Sequence, residues 1–276
     1  MSYVQTSDDC KLYVKQWGPE GGRPVVLIHG WPLSADSWDP IALALADAGF
    51  RTVAYDRRGF GRSEQPWGGY DYDTLADDLS AVLEATHATE DAALVGFSMG
   101  GGEVARYMSR HGGKGVRRAV LVSSVVPYLL QDDTNPDGAP RETFTGMIAG
   151  VKEDRPAFLA TFFKNFYGVG FLSNPVSDAY LQWSRAVAMQ GSLRATVACI
   201  ESFGTTDFRP DLPHFKVPTL VIHGTKDDIV PISISGRPAA EGIAGATLIE
   251  YDGEPHGVFA TSTSRLTEDL LSFLRA

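Results

Sequence analysis

The chain has 276 residues, 43% of them hydrophobic, and a formal charge of −10 at pH 7. That is enough material for one large domain, or for a core with an inserted subdomain. The acidic balance and the lack of a basic run argue against a nucleic-acid partner, and no apolar stretch approaches the roughly 20 residues of a membrane span. The start, Met1 to Asp8, is polar and lacks the basic and apolar regions of a secretory signal, so the expected location is the cytoplasm. Cys10 and Cys199 have no metal or redox spacing and are expected as free thiols.

Tyr3–Thr6 and Lys11–Trp17 flank Ser7-Asp8-Asp9 and predict an antiparallel hairpin. Pro24–His29, Arg51–Tyr55, Ala92–Phe97, Arg118–Ser123, Pro218–Ile222 and Ala246–Tyr251 follow as apolar runs. Runs so rich in Val, Ile and Leu suit parallel strands covered on both faces. Helical spacing occupies Trp38–Ala48, Tyr72–Thr86, Met99–His111, Ile232–Ala244 and Thr263–Arg275. Alternating strands and helices imply right-handed crossovers and a mostly parallel eight-stranded sheet with helices on both faces.

The alternation breaks between about Pro127 and Val217. A turn-rich loop, Gln131–Gly138, leads into helices without strands. Asp154-Arg155-Pro156 is a helix start, with Asp as N-cap and Pro in the first turn. Phe158, Phe162 and Phe166 then recur at helical spacing, as on a packed face. The expected division is a core of residues 1–126 and 218–276, with residues 127–217 as a helical lid.

In an open parallel sheet the loops after the strands carry the site. Gly96-Phe97-Ser98-Met99-Gly100 joins a strand to a helix and has the G-x-S-x-G form of a nucleophile elbow. A serine hydroxyl needs a base, and the base needs a carboxylate to hold its tautomer. In chain order after Ser98, the acid should come from His223-Gly224-Thr225-Lys226-Asp227-Asp228 and the base from Asp252–Gly257. His256, in a Gly/Pro-flanked loop, is the candidate base. His29 and His223 end strands before glycine and are expected to shape loops; His87, His111 and His214 fall near helix ends or in the insertion. Asp227 and Asp228 compete for the acid.

An oxyanion hole needs two backbone donors. Met99 supplies the N–H after the nucleophile, and Trp31, in His29-Gly30-Trp31-Pro32, is placed to supply the second; Pro32 has no N–H. The Trp31 indole is also expected to wall the acyl pocket, with Pro32 beside it. Asp56–Ser63 contains two glycines but no P-loop Lys-Ser/Thr pair, so it is expected to be a tight turn with paired charges. No convincing metal spacing occurs.

These residues resemble the α/β-hydrolase family, in particular its bacterial aryl esterases and cofactor-free haloperoxidases, or perhydrolases. The resemblance is carried by His29–Pro32, Tyr55–Ser63, Gly96–Tyr107, Thr206–Pro210, Val217–Gly224 and Pro255–Gly257, and spans nearly the whole chain. It implies Ser98 as nucleophile, Asp227 as acid, His256 as base, Trp31 and Met99 as oxyanion donors, and Val125 and Ile229 in the acyl pocket. It implies no cofactor and no metal. The family's Gly-Asp-x-Asp loop departs here to Gly224-Thr225-Lys226-Asp227, which keeps the acid and changes the charge beside it.

The implied activity is hydrolysis of small aryl or short-acyl carboxylic esters through an acyl-serine. The implied partners are an ester or a carboxylic acid, with hydrogen peroxide as an alternative to water. Lactone hydrolysis and dedicated perhydrolysis are alternatives, as is a ligand-sensing relative that keeps the triad. Self-association into a homo-oligomer is left open. Epoxide hydrolases and haloalkane dehalogenases share the HGxP loop but require a carboxylate where this chain has Ser98. Pro32 either stiffens its loop or biases the Trp31 backbone so that the Trp31 carbonyl faces an incoming hydroperoxide. If it aims the carbonyl, Pro32→Leu lowers the ratio of perhydrolysis to hydrolysis; an unchanged ratio leaves only the stiffening role.

Overall fold

The computed structural model describes residues 2–276. Eight strands form one sheet: β1 (Tyr3–Gln5), β2 (Lys11–Trp17), β3 (Pro24–Ile28), β4 (Arg51–Tyr55), β5 (Ala92–Phe97), β6 (Val116–Val122), β7 (Thr219–Gly224) and β8 (Thr247–Tyr251). Their order across the sheet is β1-β2-β4-β3-β5-β6-β7-β8. The β1–β2 and β2–β4 pairs are antiparallel, and every other pair is parallel. β3, β5 and β7 are buried along their whole length, which is why they read as unbroken apolar runs.

The helices are α1 (Asp39–Asp47), α2 (Tyr72–Ala85), α3 (Met99–Arg110), α4 (Arg141–Phe166), α5 (Asp178–Gln190), α6 (Leu193–Thr205), α7 (Gly236–Gly242), α8 (Val258–Thr261) and α9 (Thr263–Arg275). α4, α5 and α6 all lie between β6 and β7 in the chain. Among the described residues, no helix is long and apolar enough to cross a membrane. Cys10 and Cys199 are buried free thiols.

Two helical expectations are refined. α4 runs through the expected start at Asp154, whose backbone is non-helical at φ −149° and ψ 85°. The Asp154 side chain accepts from the Ala157 N–H at 3.0 Å, so it caps the second half of a kinked helix, and Pro156 sits in that half's first turn. The helix expected over Ile232–Ala244 is a 3₁₀ turn, Ile232–Ile234, followed by α7. Pro238 accounts for the break, because proline is tolerated in a helix only in the first turn. Gly236 opens α7 hard against His223: a Cβ there would lie 2.7 Å from the ring nitrogen.

The Asp56–Ser63 turn is held by paired charges. Arg58 bonds Asp78 and Asp8, and Arg62 bonds Asp56. Arg57 is fully buried and pairs with equally buried Glu103 on α3. Its Nε donates to Glu103 Oε1 at 2.5 Å, and its Nη2 donates to the His29 carbonyl at 2.6 Å. The Tyr55 hydroxyl donates to Glu103 Oε2 at 2.5 Å. The cluster therefore ties the ends of β3 and β4 to the helix that follows Ser98. Removing one member leaves an uncompensated buried charge, so Glu103→Ala should destabilise the chain by about 3–5 kcal/mol in urea unfolding. The double variant Arg57→Met/Glu103→Leu should lose clearly less; equal losses would mean that the charge pairing is not the source.

Candidate active site

Ser98 sits between β5 and α3 with φ 54° and ψ −119°. A non-glycine residue in that region is strained by roughly 1–3 kcal/mol and persists only when its surroundings hold it. Here the Ser98 N–H donates to the Val122 carbonyl at 2.9 Å, and its carbonyl accepts from Gly101 at 3.0 Å. The flanking glycines allow close packing. A Cβ on Gly96 would lie 2.4 Å from the Gly100 carbonyl oxygen, and one on Gly100 2.5 Å from the Ile28 carbonyl oxygen.

The loop after β3 lies directly against the serine, since a Cβ on Gly30 would approach Ser98 Cβ to 2.9 Å. Among the described residues, no protein acceptor takes a hydrogen bond from the Trp31 or Met99 backbone N–H. The Leu33 N–H donates to the Gly30 carbonyl at 3.0 Å and closes the turn through Trp31 and Pro32, whose peptide bond is cis. His29 is a loop-shaping residue, as expected. Its Nε2 accepts from the Arg57 N–H at 2.9 Å, and burial, with Arg57 beside it, keeps its pKa well below the ordinary imidazole value.

His256 follows β8. Its Nε2 lies 2.9 Å from Ser98 Oγ and its Nδ1 2.6 Å from Asp227 Oδ2. Phe97 and Phe166 flank the ring at 5.0 and 4.8 Å between centroids. Asp227 Oδ1 accepts from the Ile229 and Val230 N–H groups at 3.0 and 2.8 Å. Burial pushes the Asp227 carboxyl up, but charge on His256 and hydrogen bonding from His223 and His256 outweigh it and hold the pKa at about 2. Asp227 therefore meets His256, whereas Asp228 is exposed in the same loop.

The Asp227 and His256 loops are joined by their own backbones. The Lys226 N–H donates to the Glu254 carbonyl at 3.0 Å. A Cβ on Gly224 would lie 2.3 Å from that carbonyl oxygen, so the crossing needs glycine. Thr225 accepts from the Gly253 N–H at 2.8 Å and donates to Asp252 at 3.2 Å. Thr225 is thus a neutral clasp between the two loops.

Ser98 and His256 face a small, partly enclosed cavity of about 60 Å³. Trp31, Val125 and Ile229 line it, and Leu129, Phe162 and Phe203 complete much of the wall. Apart from Ser98 and His256, Thr143 is the only polar side chain among the lining residues. Pro32 is not in the wall, contrary to expectation: it is buried, and the Gly30–Leu33 turn presents Trp31 there instead. The Trp31 indole donates to the Thr196 carbonyl at 3.0 Å and packs edge-on against Phe162 at 5.1 Å. Phe162 thus both packs α4 and walls the cavity, a double role that its helical spacing did not reveal.

The pattern of the alpha/beta hydrolase fold family matches residues 23–263. The chain is 42% identical over 276 residues to the non-heme chloroperoxidase CPO-A1 of Kitasatospora aureofaciens, covering 99% of each chain. It is 41% identical over 278 residues to the bifunctional esterase/perhydrolase DCH of Acinetobacter calcoaceticus, covering all of both. The crystal structure of a bromoperoxidase from Bacillus anthracis is similar with a TM-score of 0.95 and 42% identity, over 99% of each chain. The chain belongs to the α/β-hydrolase family, among the relatives of its bacterial non-heme haloperoxidases and perhydrolase esterases.

Proposed function

We propose that this chain hydrolyses small, uncharged carboxylic esters through an acyl-serine, and that hydrogen peroxide replaces water in a second reaction of the same intermediate. The observation that carries the reading is the contact of Ser98 Oγ with His256 Nε2 at 2.9 Å, backed by Asp227 at 2.6 Å from Nδ1. His256 takes the Ser98 proton as Oγ attacks the ester carbonyl. The Trp31 and Met99 N–H groups bind the tetrahedral oxyanion, and each such donor is typically worth about a hundredfold in rate. His256 then protonates the departing alcohol. Water, deprotonated by His256, attacks the acyl-serine and releases the carboxylic acid and free Ser98. Peroxide attacking in its place releases a peracid and the same free serine. The bifunctional esterase/perhydrolase at 41% identity supports both branches.

The wall residues favour an apolar acyl or aryl group, because none carries a charge to offset the desolvation of an anionic substrate. We assign α4, α5 and α6 the role of a lid over this cavity. The Thr196 carbonyl of α6 holds the Trp31 indole, so the lid also braces the residue that supplies an oxyanion donor.

A panel of aryl acetates, aryl hemisuccinates and acetate plus peroxide, run on wild type and Ser98→Ala, tests the proposal. The neutral aryl acetates should turn over fastest, and Ser98→Ala should lose at least about a thousandfold in kcat on every productive substrate. Undiminished turnover in Ser98→Ala would contradict the acyl-serine mechanism.

A further inference from the structure

Asp227 has a second histidine beside it. His223 Nε2 lies 3.1 Å from Asp227 Oδ2, the oxygen that also faces His256. The same nitrogen is 2.8 Å from the Val230 carbonyl oxygen. A carbonyl only accepts, so Nε2 must carry a proton. That N–H is aimed at the carbonyl, and the carboxylate oxygen lies alongside in its positive field. Among the described residues, Nδ1 has no hydrogen-bond partner, and it abuts Gly236 at the start of α7. Val230 is held twice: its carbonyl by His223 and its N–H by Asp227 Oδ1.

We propose that His223 is a positioning residue for the acyl-transfer reaction: its Nε2–H fixes the Val230 peptide and draws on Asp227 Oδ2, setting how strongly that oxygen holds the His256 imidazolium. This rests on the reading of Ser98, His256 and Asp227 as the reacting relay. The arrangement follows from the fold. His223 is the penultimate residue of β7, before Gly224, and the turn from Gly224 to Val230 brings the chain back over the ring. The charged groups around His223 are Asp227 and His256 in the site and, on the neighbouring strand β8, Glu250, its register partner. Glu250 is paired at the surface with Arg237 of α7. That pair is common to all His223 variants, so it does not distinguish them.

The sign follows from the charges. An oxygen that shares an N–H donor is a weaker partner for an imidazolium. Without His223, Asp227 Oδ2 stabilises the protonated, inactive form of His256 more, and a higher pH is needed to reach the active form. His223→Leu should lower kcat/KM for an aryl acetate about tenfold and move the acidic limb of its pH profile upward by roughly half a unit or more. His223→Gln, whose amide reaches the Nε2 position, should return the limb towards its wild-type place. His223→Asn, whose amide stops near the Nδ1 position, should not.

A purely structural role would lower the rate evenly and leave the limb where it is. The proposal is overturned if the limb is unmoved in folded His223→Leu. Should that variant fail to fold, coincident profiles for the Gln and Asn variants overturn it instead. Thermal melting and titration of the reactive serine with an organophosphonate count the folded sites in each case. Ser98→Ala measured in parallel separates the two readings: turnover surviving there means the relay itself is wrong, whereas an inactive Ser98→Ala with an unmoved limb removes only the role of His223.

Discussion

A carboxylate wholly shut off from water has to be satisfied by protein donors, and the site is organised around that demand. The Asp227 side chain has no exposure. An unpaired anion in such a place would take up a proton or unfold its surroundings. Instead, the Ile229 and Val230 N–H groups bond one oxygen, and His256 and His223 crowd the other. The first two set the direction of the carboxylate; the histidines set how its charge is used. The imidazole of His256 follows that direction and is clamped by Phe97 and Phe166, so its remaining nitrogen faces Ser98 without further adjustment.

The second buried charge cluster does the corresponding work on the other side of the serine. Arg57 and Glu103 are both out of solvent, and their partners are Tyr55 and the loop residue His29. An isolated pair of this kind earns little net stability, because desolvating two ions cancels most of their attraction. Its effect here is on geometry: it ties His29, at the start of the loop after β3, to Glu103 in the second turn of α3. Two networks, an anion held by backbone N–H groups and two histidines and a cation held by a carboxylate and a carbonyl oxygen, thereby flank the serine.

Above them the chemistry changes to apolar packing. The cavity walls come from loops of the sheet and from α4 and α6, and Trp31 belongs to both regions through its backbone and its indole. One side chain thus ties the helices to the loop after β3. Phe162 and Phe203, which line the cavity, are also the rings packed against that indole.

Several of these features are readable along the chain because they depend on neighbours in sequence. The elbow at Ser98 needs only Gly96, Gly100 and a strand-to-helix switch, and the parallel sheet needs only alternating apolar runs. The placement of His256 in a loop after the last strand is equally local. Asp227 and Asp228 are different: adjacent residues of one type are separated only by the direction of their side chains, which the turn around Val230 decides. Pro32 was expected in the pocket because it follows Trp31, but the Gly30–Leu33 turn faces one residue to the cavity and buries the other. His223 reads as a loop former until the turn through Val230 folds back over its ring. Composition and pattern act over a few residues, so they specify elements and the loops that end them; which side chains share a hydrogen bond across 29 or 158 residues is settled only when burial forces distant charges and donors to pair.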